Sequence, residues 1–134
     1  MSRRFVRTAR GLAGGLLTLL AAAGCGDQGP TGAGELTVSF YQSGSDAGAI
    51  LLTVSGGLVL DVTAVGGQQA SFGAAGPNTT RIVVAGALAT GQLLRIRVPD
   101  VAQVAACSVR VNQVAHRSTF ALLDPARFSL SISR

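Results

Sequence analysis

Apolar and polar residues alternate with a period of two from residue 35 to the end of the chain. This period is typical of β-strands that bury one face, whereas a helix would repeat every 3.6 residues. The first segment, ELTVSFYQ, alternates without interruption, and GAILLTVS, QLLRIRV and RFSLSIS repeat the pattern further along. The residues predicted to point inward from these four segments are Leu36, Val38, Phe40, Ile50, Leu52, Val54, Leu94, Ile96, Val98, Phe128, Leu130 and Ile132.

The remaining segments are less regular but favour the same class of structure. LVLDVTAV predicts a strand with Leu58, Leu60, Val62 and Ala64 on one side. TTRIVVAGAL, AACSVRVNQVA and STFALL predict further strands, QQASF a short weak one, and PDVAQVAA a short helical turn. By the same alternation, an apolar outer face that another surface would cover is predicted to comprise Leu51, Val59 and Leu93.

The four prolines fall in the breaks between these segments, where no strand needs their missing N–H group. Many short alternating strands separated by turn residues are typical of a sandwich or barrel. We therefore predict an all-β domain over residues 35–134, an antiparallel β-sandwich of about eight or nine short strands.

The amino-terminal residues follow a different pattern. Residues 1–10 carry four arginines and no acidic residue, and an apolar run follows from Gly11 to Ala23. A basic segment followed by a short apolar run is typical of a secretory signal. The run of 13 residues is shorter than the roughly 20 that a membrane-spanning helix requires. We therefore interpret residues 1–24 as an export signal.

The end of that signal, Leu20-Ala-Ala-Ala-Gly-Cys25, resembles the lipobox of bacterial lipoproteins. The resemblance implies cleavage before Cys25, lipidation of its thiol and anchoring in a membrane, with residues 25–34 as a flexible tether. Ala22 stands where the family usually has leucine, and Ala21-Ala22-Ala23 also fits ordinary cleavage after Ala23, which would release an unlipidated protein. Gly26, rather than aspartate, follows the cysteine, which resembles the sorting pattern for the outer membrane.

The net charge of +5 comes mainly from the signal segment. Four of the eleven basic residues lie there, and all six acidic residues follow it. The predicted domain is thus close to neutral, which argues against nucleic-acid binding because that function requires a basic surface.

Candidate chemical groups are few. His116 is the only histidine, and no G-x-S-x-G segment or nucleophile–base arrangement accompanies it. Cys107 is expected to be a buried, unreactive thiol, because it shares one strand face with Ala105, Val109 and Val111. If Cys25 is lipidated, Cys107 has no partner for an intramolecular disulfide. Asp46 and Asp100 fit turn chemistry better than calcium binding, because no D-x-D-x-D-G series is present. We predict no enzyme activity, no metal site and no cofactor.

One basic feature remains as a candidate binding surface. Arg95 and Arg97 are two residues apart and therefore share one face of a strand, and Arg110 and Arg81 also point outward by alternation. If their strands were neighbours, the four would form a basic stripe suited to phosphate or carboxylate groups. A solvated sheet face is the alternative interpretation.

GAILLTVSGGLVLDVTAVGGQ, followed by VAGALATGQLLRIRV, resembles the cohesin-like β-sandwich modules of bacterial surface proteins. The resemblance covers residues 48–98 and implies protein–protein binding in the cell envelope; no functional residue is carried over from it. The sequence thus predicts an envelope lipoprotein, in the outer membrane, with a non-catalytic protein-binding or assembly module. The alternatives are a structural accessory subunit of an envelope complex and a soluble periplasmic ligand-binding domain.

Overall fold

A computed structural model describes residues 32–134; the predicted signal, Cys25 and most of the predicted tether lie outside the described residues. Nine strands form two antiparallel sheets. The strands are β1 (Gly34–Gln42), β2 (Ala47–Ser55), β3 (Asp61–Ala64), β4 (Gln69–Gly76), β5 (Thr79–Ala85), β6 (Gly91–Val98), β7 (Ser108–His116), β8 (Leu122–Leu123) and β9 (Phe128–Ser133). The four-stranded sheet has the order β3-β6-β1-β9, and the five-stranded sheet has the order β4-β5-β2-β7-β8. The predicted antiparallel β-sandwich is confirmed.

The core lies between the two sheets and is built from the alternating residues. Leu36, Val38 and Phe40 of β1 face the buried residues of β2, as their period of two predicts. The rings of Phe40 and Phe128 are stacked, with centroids 5.8 Å apart. Of the residues predicted to point inward, most are buried, and Leu130 and Ile132 pack against the core while partly buried.

The predicted strand over LVLDVTAV is wrong in its first half. β3 begins only at Asp61, and before it Leu58 and Leu60 are exposed whereas Val59 is 8% exposed and part of the core. Val59 and Val62 both pack inward although three positions separate them, so the period of two is interrupted between them. The Leu60 N–H donates to the Arg97 carbonyl at 2.7 Å, which leads the chain into β3.

The predicted apolar outer face of Leu51, Val59 and Leu93 is also wrong. Leu93 is only 2% exposed, because the register of β1 and β6 shifts at this point: Val38 pairs with Leu94 and Ser39 with Gln92. The unpaired Leu93 is a β-bulge, which lets two successive residues of one strand point toward the core. Of the three residues, only Leu51 stays on an outer face, where it is partly buried.

The predicted helical turn and the predicted burial of Cys107 have different outcomes. The predicted helical turn is a 3₁₀ helix, Val101–Ala105, capped by the Asp100 side chain, which accepts from the Ala102 N–H at 2.9 Å. Cys107 is partly rather than fully buried, since it lies in the turn between this helix and β7. None of the helices in residues 32–134 has the length and hydrophobicity that crossing a membrane requires.

Candidate functional site

The hairpin between β7 and β8 forms one wall of the candidate site. The His116 N–H donates to the Ala121 carbonyl at 2.8 Å, and the Phe120 N–H donates to the His116 carbonyl at 3.1 Å. Within the loop, the His116 Nδ1 accepts the backbone N–H groups of Ser118 at 3.0 Å and Thr119 at 3.3 Å. The histidine therefore fixes the shape of the loop.

Phe120 is the most exposed large apolar side chain of the described residues, with 78% of its surface accessible. Its backbone lies in the left-handed region, at φ +61°. A bulky residue in that region costs free energy, of the order of 1–3 kcal/mol, and persists only where its surroundings enforce it. The hydrogen bonds of the hairpin supply that enforcement, so the ring projects from a constrained loop.

Small residues form the floor of the site on the outer face of the five-stranded sheet. Ala49 of β2 lies opposite Ala85 of β5 and Ala115 of β7, so three alanines share one row across the sheet. Next to this row, Gly48 lies so close to the Arg117 backbone that no side chain fits between them. The result is a depression beside the larger outward residues Leu51 and Val83.

This depression is a cavity of about 490 Å³ that opens to solvent. We call it the Phe120 groove and define it by six of its lining residues, Gly48, Ala49, Ala85, Gly86, Ala115 and Phe120. His116 and Arg117 also line it. A shallower depression of about 250 Å³ adjoins it over Leu51, Val83 and Leu122. Since Val83 and Leu122 are also exposed, apolar surface continues beyond the groove.

The acidic side chains considered as metal ligands are engaged elsewhere. The Asp100 carboxylate accepts from the Gly32 N–H at 3.1 Å as well as capping the 3₁₀ helix. Asp46 forms an ion pair with Arg127 at 3.3 Å. Within residues 32–134, no group of three or more histidine, cysteine or acidic residues is placed to hold a metal ion. The groove itself contains His116 as its only imidazole, and that ring is engaged by the loop.

The four arginines of the predicted basic stripe do not come together. Arg95 and Arg97 lie on β6 in the four-stranded sheet, whereas Arg81 and Arg110 lie on β5 and β7 in the five-stranded sheet. The two pairs therefore occupy opposite outer faces of the sandwich.

Each arginine pair has its own surroundings. Arg97 lies between Glu35 of β1 and Asp61 of β3 in the register of the four-stranded sheet, so acidic residues flank it on both sides. Arg81 and Arg110 flank Thr53 of β2 in one row. Thr53 is buried on this outer face, and its hydroxyl lies 2.6 Å from the Asn112 Oδ1. Neither pair forms the continuous basic surface that phosphate binding would favour.

Sequence reasoning did not find the groove. It assigned Phe120 to a strand, STFALL, whereas the residue lies in the loop before the two-residue strand β8. The sequence does contain a sign of this loop. In Ser118-Thr119-Phe120, an aromatic residue follows two turn-forming residues and lies between two alternating segments. Phe120 lies near Gly48 and Ala85 only because β2 pairs with β5 and β7, which are distant from it in sequence.

No family model, no curated protein and no solved structure matches this chain.

Proposed function

We propose that this protein is a lipid-anchored, non-catalytic protein-binding module of the bacterial cell envelope, and that the Phe120 groove receives an apolar side chain of its protein partner. The observation that carries the proposal is an exposed aromatic ring on a constrained loop beside an apolar cavity. Buried aromatic anchors and the pockets that receive them account for most of the binding energy in many interfaces.

The direction of the chain favours this site over others. Residue 32 lies beside the 3₁₀ helix, because the Val101 N–H donates to the Gly32 carbonyl at 2.9 Å. β1 runs from there to Gln42, whose side chain accepts from the Ala47 N–H at the start of β2, 3.4 Å away. Gly48 and Ala49 of the groove therefore lie at the end of the sandwich opposite to residue 32. In a domain tethered through its amino terminus, the groove would therefore lie at the end remote from the attachment point, where the tether does not cover it.

The extent of the apolar surface favours a protein over a small ligand. Val83, Leu122 and Phe120 are exposed around and beyond the cavity. A small molecule would occupy the cavity alone and leave these side chains in water. A protein surface covers both, and contiguous exposed apolar patches on soluble domains mark such interfaces.

We expect Phe120→Ala to reduce recovery of the envelope partner at least tenfold, since loss of one interface anchor costs about 2 kcal/mol or more. The measurement is an affinity pull-down from cross-linked native cells, with each captured protein quantified by mass spectrometry. Tyr41→Ala is the matched control, because Tyr41 is also an exposed aromatic residue but lies on β1 of the other sheet. Equal recovery by the two variants would contradict the groove as the binding site.

We expect Cys25→Ala to remove acyl mass and to release the protein from the membrane fraction, because two or more acyl chains are what holds a lipoprotein in place. Intact-mass analysis and membrane fractionation measure the two effects. Cys107→Ala is the control and leaves both unchanged. A wild-type protein that begins at Gly24 and carries no acyl chain would refute the anchor and leave a soluble protein.

A further inference from the structure

The edge of the five-stranded sheet at β4 is open. Among the described residues, β4 forms a strand ladder on one side only, with β5. The strand is eight residues long, and seven of the eight are exposed, although β3 approaches it. An edge strand of this length presents a row of backbone N–H and C=O groups that another strand can pair with.

This edge lacks the features by which proteins block such pairing. No charged residue occurs between Asp61 and Arg81, and β4 contains no proline. Its register with β5 shifts only near its end, between Ala74 and Gly76, so Gln69–Ala74 is regular. Lysine residues, prolines and early bulges are the usual protection of an exposed edge, and β4 has none of them.

The other sheet edges of residues 32–134 are different. β3 has four residues and begins with Asp61, and β8 has only two residues. β9 contacts β7 across the sandwich, and Arg127 and Arg134 lie at its two ends. β4 is thus distinguished from these edges by its length, exposure and lack of charge.

We propose that β4 pairs antiparallel with β4 of a second copy of this chain, joining two five-stranded sheets into one continuous sheet. An antiparallel pair of identical strands is related by a two-fold axis. The backbone N–H groups of each strand can therefore donate to the C=O groups of the other. The absence of charge between Asp61 and Arg81 means that no like charges meet when two such strands approach. A second copy is therefore the partner that this edge fits.

Phe72 sets the register of the proposed pair. It lies opposite Ile82 of β5 and so is on the inner face of the sheet, yet 42% of its surface is exposed because no strand lies beyond it. A two-fold axis through this position brings the two Phe72 rings side by side and places Ala70 opposite Ala74. Cross-strand aromatic pairs stabilise a sheet. β7 and β8 lie at the far edge, so pairing through β4 does not involve the Phe120 hairpin.

The first test measures the mass of the full protein by sedimentation over a range of concentrations. The protein is purified from membranes in mild detergent. We expect a dimer, and we expect Ser71→Lys to raise its dissociation constant at least tenfold by placing two ammonium groups near the two-fold axis. Ser131→Lys on β9 is the matched control and leaves the dimer intact. A wild-type protein that sediments as one protomer throughout, or an equal effect of both variants, would overturn the proposal.

The second test is independent of whether Ser71→Lys folds. Phe72→Cys, in a chain that also carries Cys107→Ser, places two thiols opposite each other with Cα atoms about 4.5–5.5 Å apart. That separation lies within the range of about 4.4–6.8 Å that a disulfide spans. Oxidation of this variant should give a covalent dimer. A control variant that combines Phe120→Cys with Cys107→Ser should give none. The chain that carries Cys107→Ser alone measures the background of cross-linking. Cross-linking at the background level, or equally at both positions, would refute the proposal without bearing on the Phe120 groove.

Discussion

Phe40→Ala is expected to lower the free energy of unfolding by about 3–5 kcal/mol, the usual cost of truncating a buried phenylalanine to alanine. Phe40 is fully enclosed in the core, and its ring stacks on that of Phe128, with centroids 5.8 Å apart. Its strand lies inside the four-stranded sheet, between β6 and β9, so the backbone cannot collapse into the cavity that the substitution leaves. Domains of this kind are stable by only about 5–15 kcal/mol in total.

The measurement is urea denaturation followed by far-UV circular dichroism, because the chain contains no tryptophan. Phe120→Ala is the matched control, since it removes the same atoms from an exposed side chain, and it is expected to change stability by less than about 0.5 kcal/mol. Equal destabilisation by the two substitutions would show that the ring of Phe40 does not occupy the centre of the core.

Gly56→Ala is expected to destabilise the fold by about 2–5 kcal/mol, the sum of backbone strain and overpacking. Gly56 follows β2 at φ +93°, a conformation in which a Cβ atom is strained. In this position a Cβ would also collide with the carbonyl oxygen of Ala106. Ala106 has little freedom to move, because its own N–H donates to the Gln103 carbonyl at 2.9 Å.

Gly67→Ala is the control for this prediction, as its φ is not in the left-handed region and no atom lies within 4 Å of the added methyl group. Thermal unfolding of the two variants measures the difference. A melting temperature for Gly56→Ala within the error of that for Gly67→Ala would contradict the close contact between the turn that follows β2 and Ala106, which ends the 3₁₀ helix.

The period of two predicted the class of fold because a strand buries alternate residues wherever one of its faces meets a core. It was correct along β1, where the alternation is unbroken, and at Ile50, Leu52 and Val54 of β2. It was wrong at Leu93 and at Val59, since a bulge or a non-strand segment changes which residue points inward without changing the local sequence pattern. A second bulge in β7, where Leu51 pairs with Gln113 and Leu52 with Val111, shifts the inward position to Val114 in the same way.

The basic stripe shows why candidate surfaces are harder to predict than buried faces. Alternation correctly placed Arg95 and Arg97 on the outside of one strand. Whether Arg110 and Arg81 lie beside them depends on strand order, which local sequence does not encode. The order β3-β6-β1-β9 separates β6 from β5 and β7 and places the two arginine pairs on opposite faces.

The export signal and the Cys25 anchor stay predictions, because they lie outside the described residues. The sequence by itself determined the alternation of buried and exposed residues and the positions of most turns. These features depend on neighbouring residues in the chain, so local steric and hydrophobic preferences are sufficient to specify them. Only the tertiary structure decided that Gly48, Ala85 and Phe120 form one groove, and that β4 is left at an open edge. Both depend on which distant strands pair, and that choice minimises the free energy of the whole sandwich rather than that of any one segment.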